Sequence, residues 1–140
     1  MRHQLRKIKI QKGYDANKML VRKLIVNFLK VGRITTTEKK AKILKPIIEK
    51  IVEKSKARTE SNKNHLLKKL ANPKLVELLF LNVGKAFEER VGGYVKIEKL
   101  SERESDGALM VRLIWSSPVV FEGQNKEIIK KNPVKSEKLK

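Results

Sequence analysis

At Val91-Gly92-Gly93 the chain changes the period of its hydrophobic residues, and that change decides what it can fold into. Upstream, apolar side chains recur at three- and four-residue spacing, the repeat of a helix face. Downstream they alternate, the repeat of a half-buried strand. A segment patterned for one period cannot present its apolar groups to a core in the other conformation. The expected class is therefore α+β, with helices first and a hairpin last.

The helical part divides at its own punctuation. Residues 1–14 read as an extended basic arm ending at Gly13. Asp15 is the expected N-cap of a helix over about 16–31, because its carboxylate can accept the free N–H groups at a helix start. Leu20, Leu24, Phe28 and Val31 lie along one side, and Val21, Ile25 and Leu29 widen it. Gly32 suits the C-terminal cap. Residues 33–36 are short and β-branched, an expected edge strand. Thr35 and Glu38 have capping-box spacing, with Thr36 or Thr37 equally able to cap. A second helix then runs to about Lys56 on a stripe of Ala41, Leu44, Ile48, Ile51 and Val52, and Pro46 removes a backbone bond inside it and predicts a bend. A third helix carries Leu66, Leu67 and Leu70. Asn72-Pro73 restarts a fourth, with a capping side chain followed by proline at the first helical position. That helix carries Leu75, Val76, Leu78, Leu79, Phe80, Val83 and Phe87, the most apolar set and the expected centre of the core. After the glycines, residues 94–100 and 109–115 read as two strands of an antiparallel hairpin around Asp106-Gly107, with Leu109, Val111, Leu113 and Trp115 on one face.

Charge narrows the function. Lys plus Arg number 34 against 15 Asp plus Glu, a formal charge of +19 on 140 residues. Such a field repels itself in the compact state and calls for a polyanionic partner. Nucleic acid is the expected one, with an anionic membrane surface as competitor. The first twelve residues hold no acid, and their cations repel one another, so a polyanion is needed to order them. An acid-free start can mimic a transit peptide, but the informative pattern begins at Met1 itself. Cysteine is absent, which removes disulfides and thiolate chemistry. No apolar run approaches the ~18 residues of a membrane span.

No catalytic set emerges. His3 and His65 lack partners at metal-ligand spacing, and two histidines without cysteine cannot complete a four-ligand zinc site. No Gly-rich run ends in Gly-Lys-Ser/Thr. Glu88 and Glu89 are adjacent and do not share a helix face. Glu102, Glu104 and Asp106 cluster in the hairpin turn, where a metal-dependent nuclease could be sought, although a solvated tip explains them as well. The nucleic-acid signals are stronger. Aromatic residues are 5% of the chain, which argues for phosphate neutralisation and shape recognition over base stacking. In Arg90-Val91-Gly92-Gly93-Tyr94-Val95-Lys96, bare backbone N–H groups can approach a phosphate between two cations. A plain helix-to-strand turn accounts for the same residues. Lys39, Lys40 and Lys42 follow the threonine run at a helix start, where a phosphate is favoured.

These residues also resemble a known family. Met1-Arg2-His3, Ile34-x-Thr36-Thr37 followed by Lys40-Ala41-Lys42, Lys74-Leu75-Val76-Glu77-Leu78-Leu79-Phe80, Gly92-Gly93-Tyr94-x-x-Ile97 and Asp106-x-Ala108-x-Met110 occur in the order and spacing of the bacterial-type large-subunit ribosomal protein seventeen family. The likeness covers residues 1–116. Ala16-Asn17 replace the family's His-Arg, and Val95-Lys96 replace its Thr-Arg, keeping a charge but losing the planar guanidinium. The resemblance implies element order α-β-α-α-α-β-β, with helices packed on a small mixed sheet. Residues 1–14 would be a flexible RNA-binding arm and 15–116 the globular domain; residues 117–140 fall outside the likeness, and their Lys-rich, low-complexity composition from about Glu122 onward reads as a mostly disordered extension. The resemblance also implies a structural, non-enzymatic role without cofactor: binding large-subunit ribosomal RNA during assembly and translation, beside neighbouring ribosomal proteins. The setting would be a cytoplasmic bacterial ribosome or an organellar one. No membrane, small-molecule substrate or homo-oligomer is expected. The RNA-facing residues would be Arg2, His3, Arg6, Lys7, Lys9 and Lys12 in the arm, and Lys18 and Arg22 on the first helix. Arg33, Thr36, Thr37, Lys40 and Lys42 would follow at the threonine turn, and Arg90, Gly92, Gly93, Tyr94 and Lys96 at the glycine turn. An RNA-processing nuclease or a stand-alone nucleic-acid-binding protein is the alternative.

Overall fold

The computed structural model describes residue 10 and residues 13–119. The arm positions Arg2, His3, Arg6, Lys7, Lys9 and Lys12, and nearly all of the Lys-rich extension, lie outside the described residues.

Helix α1 spans Tyr14–Val31 and begins earlier than expected. Gly13 is its N-cap; Asp15 falls in the first turn and its side chain caps nothing. There it still opposes the positive end of the helix dipole. Ile25, Phe28 and Leu29 form the buried centre, while Val31, expected on the inner face, is left largely exposed as the helix ends. Gly32 closes it in the left-handed region at φ +80°, donating its N–H to Phe28 O at 2.7 Å. A Cβ here would also lie 3.3 Å from the Trp115 ring.

Strand β1 (Arg33–Thr37) leads directly into α2 (Glu38–Lys56). Thr37 is the N-cap, but no side chain completes a capping box. Extended pairing continues through Thr37, which buries Thr36 opposite Val111, and Glu38 turns to Lys42 at 3.0 Å. The stripe Ala41, Leu44, Ile48, Ile51 and Val52 is buried as expected. Pro46 sits on the exposed side of one continuous element. Helix α3 (Glu60–Leu70) is capped by Thr59, whose hydroxyl accepts the Asn62 N–H at 3.3 Å. Helix α4 (Pro73–Leu78) is capped by Asn72, whose Oδ1 accepts the Leu75 N–H at 3.2 Å.

The fourth helix is not α-helical throughout. After α4 the backbone widens into a π-helical segment, Leu79–Val83, before a last α-turn, α5 (Gly84–Ala86). Its buried residues explain the change. Leu75, Leu79, Val83 and Phe87 recur every fourth residue, and Val76 and Phe80 follow the same spacing. An α-helix of 3.6 residues per turn rotates such a stripe away from the core; one wider turn brings it back.

Strands β2 (Val95–Glu102) and β3 (Leu109–Trp115) form the hairpin. β2 starts after Tyr94 and runs beyond Leu100, with a register irregularity between Lys99 and Glu102. Strand order is β1-β3-β2, and both pairings are antiparallel. The expected mixed sheet is thus corrected: the hairpin fixes β2 against β3, and β1 runs along the other edge of β3 in the opposite sense. The helices cover one face, where Val95, Val111, Leu113 and Trp115 are buried with Thr36. Trp115 joins sheet to helices, its ring centroid 4.6 Å from Phe28 and 5.6 Å from Phe87. No helix among the described residues is long and apolar enough to cross a membrane.

Candidate nucleic-acid interface

The sheet register determines which side chains leave the core. Side chains alternate between faces along a strand, so Arg33, Thr35 and Thr37 of β1 point away from the helices. Met110, Arg112 and Ile114 of β3 and Lys96 and Glu98 of β2 share that side. All eight are exposed or half-buried. In one row, Arg33 and Lys96 flank Ile114; in the next, Arg112 lies between Thr35 and Glu98. Strands ~4.8 Å apart place Arg33 and Lys96 about 10 Å apart across the row. Arg112 reaches Glu98 at 4.0 Å, which leaves this face an excess of positive charge. Residues 116–119 border it beside Arg33 and Lys96. The face carries no aromatic ring, so its cations suit it to holding phosphates more than to stacking bases on aromatic platforms.

The glycine turn lies at the end of β2 and is pinned from beneath. Tyr94 is buried against Phe87, with ring centroids 5.4 Å apart. Its hydroxyl donates to Glu53 of α2 and accepts from Lys56 Nζ at 2.6 Å. Lys56 also donates to Arg90 O at 2.5 Å and pairs with Glu53 at 3.1 Å. Burial pushes the Tyr94 phenol above its ordinary value. The hydrogen bond from Tyr94 holds the Glu53 carboxyl below the usual carboxylate range, with Lys56 adding to it. The bond to Tyr94 likewise raises Lys56. Beyond this anchor, Val91, Gly92 and Gly93 project into solvent, and a Cβ at either glycine would meet nothing within 4 Å. Arg90 does not reach outward: Nε donates to Gly92 O at 3.2 Å and Nη1 to Ser117 Oγ at 3.0 Å.

The other predicted contacts separate. Thr36 is in the core. Thr37 ends β1 on the outer face, Lys40 is half-buried on α2, and Lys42 is paired with Glu38. A phosphate at the start of α2 would therefore meet the Glu38 carboxylate. Lys18 lies exposed on α1, 5.9 Å from the Tyr14 ring centroid. Arg22 turns inward to the backbone at the end of α3. The hairpin acids form no cation site. Asp106 accepts two bonds from Arg103, at 2.7 and 2.5 Å, which holds its carboxyl at about 2. No group of three His, Cys, Asp or Glu among the described residues could hold a metal ion.

Two features escaped the sequence reading. Arg112 could have been found, since it alternates with Val111 and Leu113 and so had to face outward. The Glu53–Lys56 anchor could not, because only its i,i+3 spacing is local and Tyr94 is remote in the chain.

A family model described as Ribosomal protein L17 matches residues 20–114. The chain is 34% identical over 116 residues to "Large ribosomal subunit protein bL17" of Methylacidiphilum infernorum, covering 83% of this chain and 88% of the relative. It is 35% identical over 103 residues to the protein of that name from Carboxydothermus hydrogenoformans, covering 74% and 92%. With the Natranaerobius thermophilus protein the identity is 36% over 105 residues, covering 75% and 93%.

Proposed function

Because the chain belongs to the ribosomal protein L17 family, we propose that the outer face of its sheet, its glycine turn and its basic arm are the surfaces that hold large-subunit ribosomal RNA. The protein is a structural constituent of the large ribosomal subunit and not an enzyme. Its association is with the RNA and proteins of that subunit, and its setting is the ribosome in the cytoplasm. The finer assignment of surfaces rests on one observation: Arg33, Lys96 and Arg112 stand together on the sheet face that the helices leave bare.

The mechanism is electrostatic and geometric. Folded RNA presents phosphates at fixed spacings, and cations carried on a sheet meet them from a backbone that is already ordered, so that only side-chain freedom is lost. The arm, with Arg2, His3, Arg6, Lys7, Lys9 and Lys12, inserts among phosphates that order it. The hydrophobic body sets the distance between arm, sheet face and glycine turn, and so locks RNA segments relative to one another during assembly. Neighbouring ribosomal proteins meet the remaining surface.

Two variants test this in cells whose large subunits are purified on sucrose gradients. Arg2, Arg6, Lys7 and Lys9 are all changed to Glu in one, and Arg33, Lys96 and Arg112 in the other. Both fold, and both are depleted from the subunit relative to the unaltered chain. Normal occupancy of the sheet-face variant would show that this face is not the RNA surface.

A further inference from the structure

We infer that the cleft between α1 and α3 receives a single unpaired nucleotide of RNA, its base against an aliphatic floor and its phosphate on a lysine rim. The inference rests on the RNA-binding reading above. The cleft holds about 180 Å³. Val21, Ile25 and Ile47 form its floor, and Lys18, Arg22, Lys68 and Lys69 complete its lining. Every ionisable group there is therefore a cation, in contrast to the sheet face, where Glu98 intervenes.

The chemistry selects among occupants. A paired RNA helix presents phosphate and sugar outward and keeps its bases stacked, so it has nothing to place on three aliphatic side chains. A splayed-out nucleotide joins a flat, largely apolar ring to an anionic linkage, which matches a floor of one kind and a rim of the other. Arg22 supports this occupant specifically. Its Nε donates to Lys69 O at 2.9 Å and its Nη2 to Lys68 O at 3.1 Å. Two bonds to the last-turn carbonyls of α3 fix the guanidinium plane, and a fixed guanidinium is a surface on which a base can stack. The same bonds hold the backbone of Lys68 and Lys69 at the rim. No aromatic ring lines the cleft: Phe28, Phe80, Phe87, Tyr94 and Trp115 are buried in the core, and the exposed Tyr14 of α1 is not among the lining residues.

The test uses intact large subunits carrying the full chain with a photoreactive benzophenone amino acid in place of Ile47, and separately in place of exposed Lys69. Irradiation is expected to give an RNA adduct confined to one unpaired nucleotide. A second variant, with Lys18→Gln, Lys68→Gln and Lys69→Gln added to the chain that carries the probe at position 47, should lower that adduct several-fold. An adduct to a ribosomal protein would assign the cleft to an acidic peptide instead. No adduct from either position, in subunits that contain the chain, would also overturn the inference. Occupancy of the chain in those subunits is scored separately, so loss of the cleft contact is distinguishable from loss of RNA binding altogether.

Discussion

A methyl group at residue 84 would lie 2.3 Å from Ser55 O, a backbone atom of α2 that cannot swing aside. Gly84→Ala is therefore expected to destabilise the isolated protein by ~1–3 kcal/mol through overpacking, although alanine is intrinsically better in a helix by ~1 kcal/mol. Urea unfolding followed by circular dichroism checks this. Gly92→Ala is the contrasting case, since nothing stands within 4 Å of a Cβ there and φ is not positive. Its folded stability should be unchanged or raised by ~0.4–1 kcal/mol, while RNA affinity should fall, because a side chain there stands between the backbone and a phosphate. Tyr94 links residue chemistry to pH. Its raised pKa means its contribution is complete below the ordinary value of 10.0 and is lost as pH rises through the folded value. Lys56, raised above 10.5, acts in the same direction. Glu53, lowered below 4.5, contributes above that value and loses its share as pH falls through the folded one. The urea midpoint should consequently drop as pH rises above about 10. Tyr94→Phe should lower stability by about 1–2 kcal/mol at neutral pH and flatten that alkaline decline. An equally steep decline in the variant would place its origin elsewhere.

At the scale of elements, features set by neighbouring residues are legible in the sequence, and the exceptions have physical causes. Asn72 and Gly32 cap helices because capping is a contact within a few residues, visible in any window. Replacing Asn72 by Ala should cost ~1 kcal/mol, measurable by urea unfolding and by faster amide exchange in α4. Asp15 met the same rule but lost to Gly13, because the helix begins one turn-fragment sooner than its polar signal. Thr36 has the chemistry of a cap and is a core residue. Whether β1 extends through Thr37 depends on pairing with Met110 and Val111, far away in the chain. The π-helical segment is present in the sequence as the four-residue spacing of Leu75, Leu79, Val83 and Phe87, which an α-helix cannot keep on one side. Arg22 shows the same limit at the site. Its charge is legible, its partners are not: they are carbonyls at the end of another helix. Arg22→Ala should fray the last turn of α3, seen as faster amide exchange at Leu70 and Ala71, with the rest of the body unaffected.

For the whole molecule, behaviour is governed by a charge of +19 on 140 residues. Two effects of salt compete on it. Screening weakens ion pairs such as Glu38–Lys42 and Glu60–Lys63, which span 3.0 and 3.6 Å at the surface; exposed pairs of this kind contribute ~0–1 kcal/mol each. Screening also relieves repulsion among the cations, which act over the Debye length, ~30 Å at 0.01 M and ~8 Å at 0.15 M. Pairs are local and few, whereas repulsion spans the molecule, so repulsion should win. The melting temperature of the isolated protein is expected to rise between those two salt concentrations. Affinity for ribosomal RNA should fall over the same range, because each neutralised phosphate contributes about −0.7 to −0.9 to the log–log salt slope. Opposite responses to one variable are what a body built around missing counter-charge must show: salt supplies to the free protein what RNA supplies to the bound one. A melting temperature that fell with salt would mean that internal ion pairs outweigh repulsion, and an RNA affinity that did not fall would mean that the RNA is held for reasons other than the charge it cancels.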